Sequence, residues 1–152
     1  MNGSPNQTGL EPVRESIQVN LSPDAAFRRF TEEIAAWWPL KTHSVGEERA
    51  EMVVFETQRG GRIYERTRDG AIHVWGTVIA CDAPDRVVFS WHPGREADTA
   101  QEVEVRFRAS ERGTLVELEH RGWEALGDGA ENMRSRYSEG WEYVLGRFVV
   151  RR

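Results

Sequence analysis

Three stretches in the second half of this chain alternate apolar and polar residues with a period of two, and one stripe with helical spacing follows them. Val87, Phe89 and Trp91 share one parity; Val103, Val105 and Phe107 alternate with Glu104, Arg106 and Arg108; Val116, Leu118 and His120 alternate with Glu117 and Glu119. Alternation of this kind gives a strand one buried and one wet face. A sheet with one apolar face needs a cover, and the last segment can supply it. There Met133, Tyr137, Trp141, Val144, Leu145 and Phe148 recur at the three- and four-residue spacing of one helix face. The arrangement that satisfies both patterns is α+β, an antiparallel sheet of about six to seven strands wrapped around a long C-terminal helix.

The first half fits the same plan. Ile17, Val19 and Leu21 mark a first strand, and Ser22-Pro23-Asp24 has the composition of a helix start: an oxygen for an orphan N–H, a proline for the first turn, an acid for the positive end of the dipole. Phe27, Phe30, Ile34 and Trp37 or Trp38 predict that this helix runs to Pro39. Strands are expected over 52–57, 62–68 and 71–80, the last two joined by the hairpin signal Asp69-Gly70. Asp128 and Glu131 have capping-box spacing and predict the start of the final helix. Residues 1–12 are polar and rich in Gly and Pro, so a disordered tail is expected there and one domain over 13–152.

Composition narrows the partners. A formal net charge of -5 disfavours nucleic acid and anionic membrane, both of which need a basic field. No apolar run is long enough to insert in a bilayer, and the first residues lack the pattern of a leader, so a cytoplasmic location is expected. Cys81 is the single cysteine, which rules out an internal disulfide and fits a reducing compartment. The four histidines, at 43, 73, 92 and 120, show no metal-ligand spacing; no glycine-rich loop opens a helix, and no nucleophile elbow is present. Neither a metal nor a cofactor is expected.

What remains is the aromatic load: six Trp, six Phe and three Tyr in 152 residues. Core packing accounts for each ring taken singly. A curved sheet gripping a helix also encloses space, and ligand pockets are apolar walls with a few convergent polar groups. On that reading the candidate ligand-binding residues are Trp37, His43, Tyr64, Trp75, Phe89, Trp91, Phe107, His120, Tyr137 and Trp141. Glu65 is a further candidate acid or base, but strand parity allows only one of Tyr64 and Glu65 to point inward.

The segments FRRFTEEIAAWWP (27–39), THSVG (42–46), VVFETQRGGRIYER (53–66), HVWGTVIACDAPDRVVFSWHPG (73–94), EVEVRF (102–107), TLVELEHRGWEALG (114–127) and GWEYVLGRF (140–148) resemble the SRPBCC superfamily. Within it they are most similar to the branch named for homologues of the activator of Hsp90 ATPase. One departure is Thr57, where such chains often carry proline after the Phe-Glu of the second strand. The resemblance implies the helix-grip fold shared with START domains, birch-pollen-type allergens and polyketide cyclases. It does not by itself supply a reaction. Three functions follow as expectations: a binder of a small apolar molecule held between sheet and helix; a cyclase- or hydratase-like enzyme using His120 or Glu65 as general acid or base; and a co-chaperone-like interaction module. A second copy of the chain is the other partner to consider.

Overall fold

The computed structural model describes residues 10–149. Seven strands form one antiparallel sheet: β1 (Val13–Val19), β2 (Ala50–Phe55), β3 (Arg62–Thr67), β4 (Ile72–Asp82), β5 (Arg86–Trp91), β6 (Gln101–Ser110) and β7 (Gly113–Arg121), in the spatial order β1-β7-β6-β5-β4-β3-β2. Helix α1 (Pro23–Phe30) follows β1, and helix α2 (Ala130–Phe148) covers the inner face of the sheet. The fold is the α+β helix grip.

The inner face is the one the alternation marks. Val103, Val105 and Phe107 of β6 and Val116, Leu118 and His120 of β7 are all buried, and the register sets Val105 opposite Leu118 and Val103 opposite His120. On the outer face, Glu104 is only 7% exposed because Arg86, Arg106 and Arg121 close over it at 2.8, 2.7 and 2.7 Å. Burial alone would raise its pKa, but hydrogen bonds from these three guanidiniums outweigh that cost and hold the carboxyl at about 2. At Gly76 the backbone of β5 comes so near that a Cβ would lie 1.7 Å from the Ser90 carbonyl oxygen. No other residue fits there, and the pairing registers of β4 shift on both sides, between Ile63 and Tyr64 on β3 and between Val78 and Ala80 on β4 itself.

Two expectations need correction. The first helix ends at Phe30 rather than Pro39, and Ile34–Ala36 is a separate 3-10 turn. The break falls at Thr31, whose backbone N–H and hydroxyl both donate to the Phe27 carbonyl, at 3.0 and 2.8 Å, after which Glu33 N–H reaches back five residues to Arg28 and the regular ladder ends. The Asp128–Glu131 capping box does not form. Gly127, at φ 62° and ψ -131°, kinks the chain within the 3-10 segment Trp123–Gly129 just ahead of α2, whose N-cap is Gly129 without a side-chain bond. The tail expected over 1–12 lies outside the described residues as far as residue 9. Beyond it Leu10 packs on the core, and Arg134 donates to the carbonyls of Glu11 and Pro12 at 2.5 and 3.1 Å.

Candidate functional site

Two groups of rings fill the space between sheet and α2. At one end Phe30 is the hub, with ring centroids 5.3 Å from Trp37, 5.9 Å from Phe107 and 5.7 Å from Phe148. Phe27 joins it through Phe107 at 5.3 Å. At the other end four indoles meet: Trp38 lies 5.2, 6.0 and 5.9 Å from Trp75, Trp91 and Trp141, and Trp91 lies 5.6 and 5.4 Å from Trp75 and Trp141. These separations are those of edge-to-face and tilted aromatic pairs.

The indole end is open on one side. Trp38, Trp91 and Trp141 form the floor of a pocket of about 410 Å³, walled by Tyr137, Gly140 and Val144 of α2, by His43, Ser44 and Val45, and by Pro93 and Gly94. Gly140 leaves room in the helix wall, since a Cβ there would meet nothing within 4 Å. Volume and lining both fall in the range of small-molecule sites.

Glu65 fixes the loop wall. It sits on the inner parity of β3 with Ile63 and Thr67, fully buried, and both carboxylate oxygens are used. The backbone N–H groups of Val45 and Gly46 donate to Oε1 and Oε2 at 2.7 Å each, and the Trp75 indole donates to Oε1 at 2.7 Å. Gly46 permits this approach, because a Cβ would come within 2.7 Å of the Thr67 methyl. Farther along the loop, the His43 carbonyl accepts from the Trp38 indole at 2.8 Å, tying floor to wall. The His43 ring stacks on Tyr143 at 4.9 Å, and partial burial lowers its pKa, favouring the neutral imidazole.

His120 is also fully engaged. It accepts from the Trp141 indole at Nδ1, 2.9 Å, so the proton of the neutral ring sits on Nε2 and is donated to Gln101 Oε1 at 3.0 Å. Trp123 stacks over it at 4.2 Å. Burial drives its pKa down to about 3, so the ring is neutral near pH 7 and structural in role. Tyr137 has its pKa raised, first by burial; nearby Arg95, the Trp91 N–H and Arg136 oppose the rise. The buried Trp91 N–H approaches the Tyr137 hydroxyl without reaching full hydrogen-bond geometry.

Of the ten candidate residues, the structure brings His43, Trp91, Tyr137 and Trp141 to this pocket. Trp75 and His120 lie behind the floor, as supports of Glu65 and Trp141. Trp37, Phe89 and Phe107 belong to the filled interior. Tyr64 points to the other face, its ring under the Arg62 guanidinium at 4.9 Å. Sequence reasoning left out Trp38, Val45, Gly140 and Val144 as lining residues, and the parity of Ile63 and Thr67 was the signal that could have placed Glu65 inside. Among the described residues no cluster of three His, Cys, Asp or Glu side chains could hold a metal ion, and no helix is long and apolar enough to cross a membrane.

A closed aromatic interior with a pocket at one end of the helix grip defines a fold class shared by many proteins, and comparison with known families narrows it. Residues 20–151 match the family described as Activator of Hsp90 ATPase homolog 1-like protein, and the chain belongs to that family. The search of curated proteins finds no match. Among solved structures, an anthrahydroquino-gamma-pyrone synthase, Txn09, complexed with SUM, is 35% identical over 81% of this chain and 84% of its own, with a TM-score of 0.58. CalU16 from Micromonospora echinospora is 24% identical over 88% of this chain and 69% of its own, with a TM-score of 0.56. Protein NE0264 from Nitrosomonas europaea is 11% identical over 95% of both chains, with a TM-score of 0.67. The last two similarities speak to the fold alone.

Proposed function

We propose that the protein binds a small, flat, largely apolar molecule in the pocket between α2, the 38–45 segment and Pro93-Gly94. One observation carries this reading: Trp38, Trp91 and Trp141, buried members of the indole cluster that completes the core, also contribute the floor of a mainly apolar pocket. Flat aromatic walls favour flat aromatic guests, by stacked and edge-to-face contact. The relative at 35% identity supports the same ligand class, since its name describes a fused-ring aromatic substrate or product. We place the protein in the cytoplasm, consistent with the unpaired Cys81.

That relative also favours a second reading, in which the bound molecule is converted as well as held. Any such chemistry would draw on groups that line the pocket, such as His43 and Tyr137, because His120 and Glu65 spend their polar atoms on structural partners.

Titration with 1-anilinonaphthalene-8-sulfonate tests the binding reading. A saturable rise in dye fluorescence is expected for the native protein, and Gly140→Leu, which plugs the pocket from the helix wall, should weaken it by roughly tenfold or more, equivalent to ~1.4 kcal/mol. The same substitution should leave stability unchanged or raise it by about 0.5–1 kcal/mol, because a mid-helix glycine is replaced. Unaltered dye affinity in the folded variant would sink the placement of the site.

A further inference from the structure

The pocket has a polar neighbour. Val45 and Gly94 lie side by side at its edge, where a Cβ on Gly94 would stand 3.8 Å from a Val45 methyl, and both residues also line a second recess of about 430 Å³. His73, His92, Arg95 and Glu96 line that recess with them. Val45 and Gly94 thus form a partition, with indole rings on one side and hydrogen-bonding groups on the other.

The geometry fixes the state of His92. It opens the turn His92-Pro93-Gly94-Arg95, with proline second and glycine third at φ 75°, the pattern of a type II turn. The Arg95 N–H closes that turn on the His92 carbonyl at 2.9 Å, and the ring adds a second tie, with Nδ1 3.0 Å from the Arg95 carbonyl. A carbonyl can only accept, so Nδ1 carries the proton and, in the neutral ring, Nε2 carries the lone pair. Nε2 has no partner among the described residues, and it is not sealed off as the indole nitrogens of Trp91 and Trp123 are. His92 is only 8% exposed, and the recess is the space it lines.

An acceptor held at the edge of an apolar pocket selects a donor. Arg95 and Glu96 bring one charge of each sign to the recess, so no field there favours an ion over a neutral group. A hydroxyl meets both conditions. Resting on the pocket reading above, we propose that the recess is a second subsite of the same ligand, in which His92 Nε2 accepts from a hydroxyl. The ligand class is then an aromatic ring system with a hydroxylated arm. The rings lie on the indole floor, and the arm crosses Val45 and Gly94.

Probes that differ only at the tip of the arm test this: 2-(2-naphthyloxy)ethanol against 2-propoxynaphthalene, and 3-(2-naphthyloxy)propan-1-ol against 2-butoxynaphthalene. In 15N-labelled protein at pH 8, where an ordinary imidazole is neutral, at least one of the alcohols should move the His92 Nε2 signal upfield, and its alkyl partner should not. His92→Asn removes Nε2 but keeps an amide N–H able to reach the Arg95 carbonyl, so Tm should stay near the native value. In that variant the preference for the alcohol over its alkyl partner should fall roughly threefold to tenfold, the size of one hydrogen bond. The same preference in native protein and variant for both pairs, with the Trp38 and Trp141 indole signals shifted by the probes, would overturn the hydroxyl subsite and leave the pocket standing. Probes that bind without shifting those two signals, or that do not bind at all, would overturn the subsite and the pocket reading together.

Discussion

The two ends of the interior use similar residues to opposite effect. Around Phe30 the rings of Trp37, Phe107 and Phe148 close on one another, and the one indole there sends its N–H to the Arg29 carbonyl. Around Trp38 the rings are as near to each other, yet polar groups hold the indoles by directional bonds: Glu65 holds Trp75, His120 backed by Gln101 holds Trp141, and the His43 carbonyl of the loop holds Trp38. Bulk burial therefore stabilises the first end, and directional bonds position the second.

Acid should separate the two ends most sharply. The folded pKa of His120 is about 3 against an ordinary value of 6.5, so the unfolded chain binds the extra proton between those values. Its contribution to stability is complete above pH 6.5 and is lost as pH falls towards 3, roughly 4–5 kcal/mol in all and about 2–3 of it by pH 4.5. Glu104 acts in the same direction over a lower window, from its ordinary 4.5 down to about 2. Urea denaturation at pH 7.0, 5.5 and 4.5 spans this window, to which the lowered pKa of His43 adds in the same direction, and His120→Gln should remove most of the slope. An equal slope in the variant would assign acid sensitivity elsewhere.

Phe30→Ala strikes the packed end. Removing this fully buried ring should cost about 3–5 kcal/mol, with no selective effect on pocket ligands once the fold is restored by conditions that stabilise it. A loss below about 1 kcal/mol would mean that the packed end can relax around a void, and its contrast with the indole end would disappear. The smallest of the three stability effects belongs to Glu65→Gln, where an amide N–H replaces an oxygen that accepts from a backbone donor. A cost of about 2 kcal/mol is expected, together with weaker dye binding, because the 43–46 wall loses its anchor. Native dye affinity in this variant would show that the wall holds its place without the carboxylate.

Strand parity made most of the fold legible. Val103, Val105 and Phe107, and Val116, Leu118 and His120, face the core as their spacing requires, and the stripe from Trp141 to Phe148 does cover them. The end of α1 was not legible because Ile34 and Trp37 keep a helical period while the chain itself breaks at Thr31, whose side-chain bond leaves no trace in periodicity. The pocket was half legible. His43, Trp91, Tyr137 and Trp141 could be named from their residue types, but which rings reach the pocket depends on the path of 39–46, a loop whose position is set by a carboxylate on a distant strand.

The meeting of four indoles has an optical consequence. Chromophores whose neighbouring centroids lie 5.2 to 6.0 Å apart exchange excitation far faster than they emit, so these four and Trp37, 5.6 Å from Trp38, should behave as one absorber with a shared, exciton-split circular dichroism band. A guest that touches any one of them darkens the group, and the protein thereby carries its own reporter of occupancy, readable without a label.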